Sequence, residues 1–250
     1  MRYDDAGGAL RQVPDTERRE RGKPMKKTLQ LVFRAVFLAL FVCLTLSGRA
    51  QVWMGVFALS ILAAFLLGRV YCGWICPIHT VMRGIAWIKK KLRIPSARIP
   101  AWMTKPWVRM FALGLFLAAF AFTMATGKKL PVLPALFALG VLLTLVFPEA
   151  LWHRHLCPYG TILSLPARKS GRAMVIESAL CNGCGMCHRV CPAKAVEKRE
   201  RHYEILKSEC LVCMACSEAC RQGAIGYQST GLRNAGRSLE PREQNRPTGG

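Results

Sequence analysis

Acidic residues are scarce in this chain, whose 250 residues include 14 Asp and Glu against 36 Lys and Arg, for a formal net charge of +22. It also lacks a glycine-rich nucleotide-binding loop and a convincing pair of nucleophile and base, so nothing indicates nucleotide-dependent or nucleophilic catalysis. Disorder over the whole length is excluded, because 52% of the residues are hydrophobic. A chain this basic and this apolar is expected to bind a polyanion or to lie beside anionic lipid.

The apolar residues are gathered into four blocks, of which the first contains one charge, Arg34, and the others contain none. Each block is close to the roughly 17–25 residues that a helix needs to cross the hydrocarbon core of a bilayer. A soluble core of this size does not need four helices without a polar face, so the pattern predicts an all-α membrane domain with four transmembrane helices. The blocks span residues 29–46, 52–68, 110–127 and 130–147.

Lys and Arg are distributed unevenly around these blocks. Eight precede the first block, nine lie between the second and third, and fifteen follow the fourth. Because cytoplasmic segments of membrane proteins are enriched in basic residues, both termini and the central loop are predicted to be cytoplasmic. Anionic lipid on that side accounts for the charge, so no nucleic-acid partner is predicted. The membrane domain is assigned to residues 25–168, and the polar segments 1–24 and 229–250 are predicted to be disordered tails.

The C-terminal part contains two cysteine runs of the same spacing, on the side predicted to be cytoplasmic and reducing, where metal ligation is favoured over disulfides. The runs are Cys181, Cys184, Cys187 and Cys191, then Cys210, Cys213, Cys216 and Cys220, 29 residues later. This spacing is typical of bacterial ferredoxins with two [4Fe–4S] clusters, in which the fourth cysteine of each run ligates the other cluster. Residues 169–228 are therefore predicted to form a small α+β ferredoxin-like domain. The predicted ligand sets are Cys181, Cys184, Cys187 and Cys220 for one cluster, and Cys210, Cys213, Cys216 and Cys191 for the other.

A second pair of motifs, YCGWICP at 71–77 and WHRHLCP at 152–158, follows the second and fourth blocks with a shift of 81 residues. An i, i+4 spacing places two ligands on one face of a helical turn, and the helix that begins at each proline would stabilise a thiolate through its dipole. The repeat predicts two pseudo-symmetric hairpins and a tentative metal site at the membrane edge. Its ligands would be Cys72, Cys76, His153 and Cys157, although a structural role or a quinone pocket would also explain these residues.

Together, these features resemble the NapH/MauN family of ferredoxin-type membrane proteins, and the membrane part is similar to NosR and CcoG. The resemblance covers about residues 25–227 and departs from the family at His153, where a cysteine is usual. It implies a multi-pass protein of the bacterial inner membrane with cytoplasmic clusters, which relays electrons between the quinone/quinol pool and a redox partner enzyme. A periplasmic nitrate reductase or a methylamine dehydrogenase system would be such a partner, and the chain could be a subunit of a quinol dehydrogenase.

The same resemblances leave two other functions open. Similarity to CcoG implies a metallocentre assembly or metal-reducing factor, and similarity to NosR implies a redox-sensing regulator. No residue is predicted to be catalytic, but His79 and His155 are candidates to accept a proton from quinol, because imidazole titrates near neutral pH. Cys43, alone within the first block, is expected to be a packing residue.

Overall fold

A computed structural model describes residues 25–49, 51–126, 132–199 and 202–229. The predicted tail 1–24 lies outside these described residues, as does the predicted tail 229–250 except for Ser229, which ends the last strand. Within the described part, long helices come first and a small domain of short strands and helices follows.

The helical part contains six helices of eleven or more residues among the described residues. They are α1 (Met25–Leu46), α2 (Val52–Leu67), α3 (Pro77–Lys91), α4 (Pro106–Thr126), α5 (Val132–Val146) and α6 (Pro158–Arg168). Two segments, Thr28–Leu46 in α1 and Pro106–Thr123 in α4, are long and apolar enough to cross a membrane. Helices α2 and α5 are apolar but have only 16 and 15 residues, about 22–24 Å at the usual helical rise. Helix length therefore supports two of the four predicted spans.

Each half of the helical part repeats one local path, in which an apolar helix leads to a π-helical turn and then to a helix that begins with proline. The turns are Tyr71–Ile75 before α3 and Trp152–Leu156 before α6. Cys76 and Cys157 follow the turns in an extended conformation, with ψ angles of 117° and 110°, because a residue before proline is sterically disfavoured in the helical region. Cys72 and His153 therefore lie within the turns, and Cys76 and Cys157 directly follow them. That each i, i+4 pair shares one helical face stays a prediction.

The two halves are interlocked. Helix α2 packs against α6, and α5 packs against α3, so each apolar helix contacts the proline-started helix of the other half. Gly140 in α5 allows this close approach, since a Cβ there would lie 3.0 Å from Ile78 and 3.1 Å from Trp152. This crossed packing brings the start of α3 close to the start of α6. As a result, His79 of α3 contacts His153 of the second π turn.

The C-terminal part is a small α+β domain. Strand β1 (Arg172–Ile176) pairs antiparallel with β4 (Ile225–Ser229), and β2 (Val196–Lys198) pairs antiparallel with β3 (Tyr203–Ile205). Two five-residue helices, α7 (Met186–Val190) and α8 (Ala215–Ala219), precede β2 and β4. The chain thus passes twice through a loop, a short helix and a strand.

Positive φ angles repeat with the same 29-residue offset as the cysteine runs. The matched pairs are Gly183 with Val212, Gly185 with Met214, and Lys194 with Gly223. Glycine adopts this conformation without steric penalty, whereas a β-branched residue such as Val212 rarely does. The two loops therefore follow one backbone path, and the second keeps it at positions 212 and 214 without glycine.

Candidate functional site

The eight cysteines of the two runs line two cavities, four cysteines to each. The first, here called the inner cavity, is lined by Cys191, Cys210, Cys213 and Cys216, and the second, the outer cavity, by Cys181, Cys184, Cys187 and Cys220. The fourth cysteine of each run thus faces the cavity of the other run, which is the grouping that the spacing predicts. Ligation of a cluster by each set stays a prediction.

The surroundings of these cavities suit iron–sulfur clusters. The backbone N–H of Ala195 donates to Cys191 Sγ at 3.2 Å, and that of Val212 donates to Cys210 Sγ at 3.4 Å. Hydrogen bonds of this kind stabilise thiolate charge and tune the potential of a bound cluster. The rest of the inner lining consists mainly of apolar residues of the domain core, which limits the access of water to the sulfurs.

The inner cavity lies against the first π-helical turn. Trp74 Nε1 donates to the carbonyl oxygen of Val212 at 3.0 Å. A Cβ at Gly73 would collide with the carbonyl oxygen of Leu211 and would lie 3.0 Å from Cys213 Cα, so only glycine permits this approach. The loop that lines the inner cavity is therefore packed directly on the helical part.

A buried cluster of charged side chains stabilises the same contact between the ferredoxin-like domain and the helical part. Glu209, which precedes the second cysteine run, accepts a hydrogen bond from Arg109 at 2.7 Å and lies 3.6 Å from Arg69. Arg69 is only 1% exposed and also donates to the carbonyl oxygen of Ser208 at 3.0 Å. One carboxylate thus links the start of α4 and the segment before the first π turn to the ferredoxin-like domain.

Three thiols of the π-turn motifs interact electrostatically. Burial, together with the charges of Cys72 and Cys157, raises the pKa of Cys76. Burial also raises the pKa of Cys157 to about 11, although its sulfur accepts the backbone N–H of Gly160 at 3.3 Å. The backbone N–H groups at the starts of α3 and α6 stabilise the thiolates, but burial outweighs them, so without a metal Cys76 and Cys157 are protonated at neutral pH.

The fourth residue of the tentative membrane-edge site, His153, is paired with His79. His153 Nε2 lies 3.0 Å from His79 Nδ1, and Glu149 brings a carboxylate oxygen, so that three possible donor atoms lie within 4.8 Å of one another. Burial lowers the pKa of both histidines, that of His153 to about 3, so both rings are neutral at pH 7. His79, Glu149 and His153 are here called the His–Glu group. His155, the other histidine of the turn, is partly exposed and does not belong to it.

Comparison with known families assigns iron–sulfur sequences to both parts of the chain. A family described as a 4Fe-4S binding domain matches residues 49–95 and again 130–176, which are separated by the same 81 residues as the two π-turn motifs. A 4Fe-4S dicluster domain matches residues 173–221. The duplicated helical part and the two-cluster C-terminal part are therefore both recognised.

Relatives among characterised sequences agree with this. The ferredoxin-type protein NapH of Haemophilus influenzae is 27% identical over 188 residues, which are 66% of this chain and 64% of NapH. The methylamine utilization ferredoxin-type protein MauN of Methylorubrum extorquens is 30% identical over 161 residues, 58% of this chain and 56% of MauN. These similarities support a ferredoxin-type protein of the NapH/MauN type.

The NapH/MauN-type chain also matches an uncharacterized protein of Methanocaldococcus jannaschii, with 29% identity over 178 residues, or 68% of this chain and 69% of that protein. The chain spans less than two thirds of the NapH and MauN sequences it matches. No solved structure matches it. Together, the families and relatives indicate an iron–sulfur electron-transfer protein.

Sequence reasoning about this NapH/MauN-type protein missed Glu149, Arg69 and Glu209. The scarcity of acidic residues could have drawn attention to Glu149 and Glu209, because the chain has only 14 acidic residues. Glu209 stands directly before the second cysteine run, and Glu149 stands three residues before the second π-turn motif. Arg69 could have been noted as the basic residue between an apolar block and the first motif. Their roles depend on contacts between distant segments, which no local spacing indicates.

Proposed function

We propose that this protein is a multi-pass carrier of the bacterial inner membrane that relays electrons between the quinone pool and a redox partner enzyme. The names of NapH and MauN, with the duplicated 4Fe-4S family match, support a partner of the periplasmic nitrate reductase or methylamine dehydrogenase type. The termini and both cysteine cavities would be cytoplasmic, as the distribution of Lys and Arg indicates.

The observation that carries this proposal is the arrangement of the two cavities in series. Bound there, [4Fe–4S] clusters would supply one-electron carriers. The inner cavity is packed on Gly73 and Trp74 of the first π turn. The outer cavity has exposed lining residues, including Cys184 and Met186. The chain thus offers one cluster position to the membrane part and one to a partner protein.

The surface of the helical part supports a membrane location. Large apolar side chains are exposed on four helices, where water would be an unfavourable neighbour and hydrocarbon a favourable one. Examples are Leu31, Leu59, Leu115 and Leu142. Helices α1 and α4 have the length to span, and we propose that α2 and α5 complete a four-helix domain with the help of the turns that follow them.

The contact at Gly73 provides a test of the relay. The holoprotein is placed in lipid nanodiscs with a long-chain quinone, its clusters are reduced with dithionite, and their reoxidation is followed by absorbance. In Gly73→Ala the new methyl group pushes the Leu211 carbonyl away, so we expect slower electron exchange with the bilayer quinone at unchanged iron content. Gly84→Ala is the matched control, because a Cβ at Gly84 meets nothing within 4 Å.

Reoxidation of the wild-type clusters by the bilayer quinone, with Gly84→Ala at the wild-type rate and Gly73→Ala slower, would support the proposal. Equal rates in all three proteins would show that the packed contact is not part of the electron route. Absence of exchange in the wild type would contradict the quinone relay itself.

A metallocentre assembly or metal-reducing role is the second candidate. The observation in its favour is that Cys72, Cys76 and Cys157 belong to one buried cluster of side chains, which also includes Cys191, Cys210 and Cys213 of the inner cavity. Tight copper binding that is lost in Cys72→Ser and Cys157→Ser, with no exchange with quinone, would favour this role over the relay.

A further inference from the structure

We propose that the His–Glu group, formed by His79, Glu149 and His153, binds one divalent first-row transition-metal ion. The site would be separate from both cysteine cavities and from the three thiols of the π-turn motifs. It goes beyond the proposed electron relay and does not depend on it.

The donor atoms are already gathered by the fold. His79 lies in the first turn of α3, His153 lies in the second π turn, and Glu149 stands between α5 and that turn. Their donor atoms lie within 4.8 Å of one another, and the two imidazole nitrogens are 3.0 Å apart. A tetrahedral ion with ligand distances of about 2.0–2.1 Å keeps its ligands about 3.3 Å apart, so small side-chain rotations would complete the site.

Two buried polar atoms of the group lack partners. His79 is 1% exposed, and its Nε2 has no hydrogen-bond partner among the described residues. Glu149 Oε1 accepts a hydrogen bond from Arg83 at 3.0 Å, but Oε2 is buried and likewise unpartnered in the described part of the chain. Buried polar atoms are costly when unsatisfied. An ion between His79 Nδ1 and His153 Nε2 would satisfy Glu149 Oε2, whereas His79 Nε2 lies on the far side of its ring and would not be a ligand of that ion.

The donor set has the chemistry of a transition-metal site. Two neutral imidazoles with one carboxylate bind zinc in hydrolases and non-haem iron in oxygenases. Neutral imidazole is the ligating form of histidine, and both rings are buried with their nitrogens 3.0 Å apart. Arg83 forms an ion pair with the carboxylate through Oε1 and leaves Oε2 available as a ligand.

The pseudo-symmetry of the two halves gives an independent argument. With the 81-residue shift, His79 corresponds to Gly160 and His153 corresponds to Cys72. At that equivalent place, a Cβ on Gly160 would lie 2.5 Å from Arg69 Nη2, and, against the lowering effect of burial, the charge of Cys72 raises the pKa of Arg69. One half of the fold therefore places a guanidinium cation between its turn and the facing helix. The other half has two imidazoles beside the ion pair of Arg83 and Glu149 at the equivalent place, where a metal ion would bind the two rings and Glu149 Oε2.

The test uses the full chain with both clusters assembled, so that the cysteines of the runs are occupied. One equivalent of Zn²⁺ is added and its coordination is measured by X-ray absorption at the zinc edge, which is blind to cluster iron. We expect nitrogen and oxygen neighbours at about 2.0–2.1 Å, including the scattering pattern of imidazole, and no sulfur at about 2.3 Å.

Variants then locate the ion. His79→Ala, His153→Ala and the conservative Glu149→Gln should each weaken Zn²⁺ binding by more than about tenfold, the lower bound for loss of even an outer-shell partner. His155→Ala is the matched control and should bind as the wild type does. Unchanged cluster absorbance and elution volume identify the variants that are folded.

Sulfur neighbours in the wild type would overturn the proposal, because they would place the ion on the π-turn thiols. Failure of the folded wild type to bind Zn²⁺, or equal binding by all four variants, would also overturn it. None of these outcomes affects the quinone exchange of the clusters, so the relay is tested separately.

Discussion

At the scale of single residues, Glu209 is the acidic side chain on which two guanidiniums converge beside the inner cavity. Removal of one partner from a buried ion group leaves an uncompensated charge, here that of the fully buried Arg69. We therefore expect Glu209→Ala to lower the free energy of unfolding by about 3 kcal/mol. Urea unfolding in mild detergent, followed by tryptophan fluorescence, measures the change.

The matched control for Glu209 is Glu204→Ala, which breaks an ion pair with the half-exposed Arg199. That change should cost less than about 1 kcal/mol, because exposed ion pairs contribute little. Equal losses in the two variants would mean that the carboxylate at Glu209 does not hold the ferredoxin-like domain on the helical part.

The grouping of the cysteines around the two cavities predicts which Cys→Ser variants have similar EPR spectra. Cys220→Ser should disturb the same cluster as Cys184→Ser, and Cys191→Ser the same cluster as Cys213→Ser, because each pair lines one cavity. EPR spectra of the reduced proteins compare them, with Cys43→Ser as a control that should match the wild type. If Cys220→Ser instead resembled Cys213→Ser, each run would ligate its own cluster and the predicted sets would be wrong.

Residue spacing was sufficient to predict how the eight cysteines group around the two cavities, because the two runs lie in one small domain whose geometry is tied to the spacing. It was not sufficient for the His–Glu group. His79 and Glu149 are far apart in sequence and meet only because each apolar helix packs on the helix of the other half. His153 was singled out from its motif, but its contact with His79 was not predictable from either repeat alone.

At the scale of secondary-structure elements, Lys89 of α3 closes the end of α5. Its buried amine donates to the carbonyl oxygens of Thr144 and Leu145 at 3.2 and 3.0 Å, where the helix dipole is negative. We expect Lys89→Met to lower the free energy of unfolding by about 1–2 kcal/mol, since these carbonyls would lose a charged donor.

The control for Lys89 is Lys90→Met in the same helix, whose side chain is exposed and should matter by less than about 0.5 kcal/mol. Urea unfolding under identical conditions compares the two. A loss at Lys90 as large as that at Lys89 would indicate a general effect of charge on α3 and not a cap of α5.

The boundaries of the apolar helices followed closely from hydrophobicity, since α1 and α2 end within a residue of the predicted blocks. Hydrophobicity did not predict the π turns. A π turn and an α turn require similar side chains, and only the proline after each cysteine indicated that the helix is interrupted there. The extended conformation of Cys76 and Cys157 is the local consequence of those prolines.

At the scale of the whole molecule, composition predicted a helical membrane part and a two-cluster domain, and the family matches recognise both duplications. Sequence did not predict that the two parts share a contact through Gly73 and the loop of the inner cavity. That contact requires glycine at position 73, because the carbonyl oxygen of Leu211 occupies the space that a Cβ would need. The sequence alone does not indicate that Leu211 lies there. It is the feature that turns two recognisable parts into one proposed electron route.

The exchange of electrons between bilayer quinone and the clusters of the intact wild-type chain tests the central claim most directly. The holoprotein in nanodiscs is examined anaerobically by EPR, once after addition of quinol to the oxidised protein and once after addition of quinone to the dithionite-reduced protein. The account predicts that at least one of these additions changes the spectra of the clusters, in the direction set by their potentials. Spectra that remain unchanged in both directions, in protein with both clusters assembled, would contradict it.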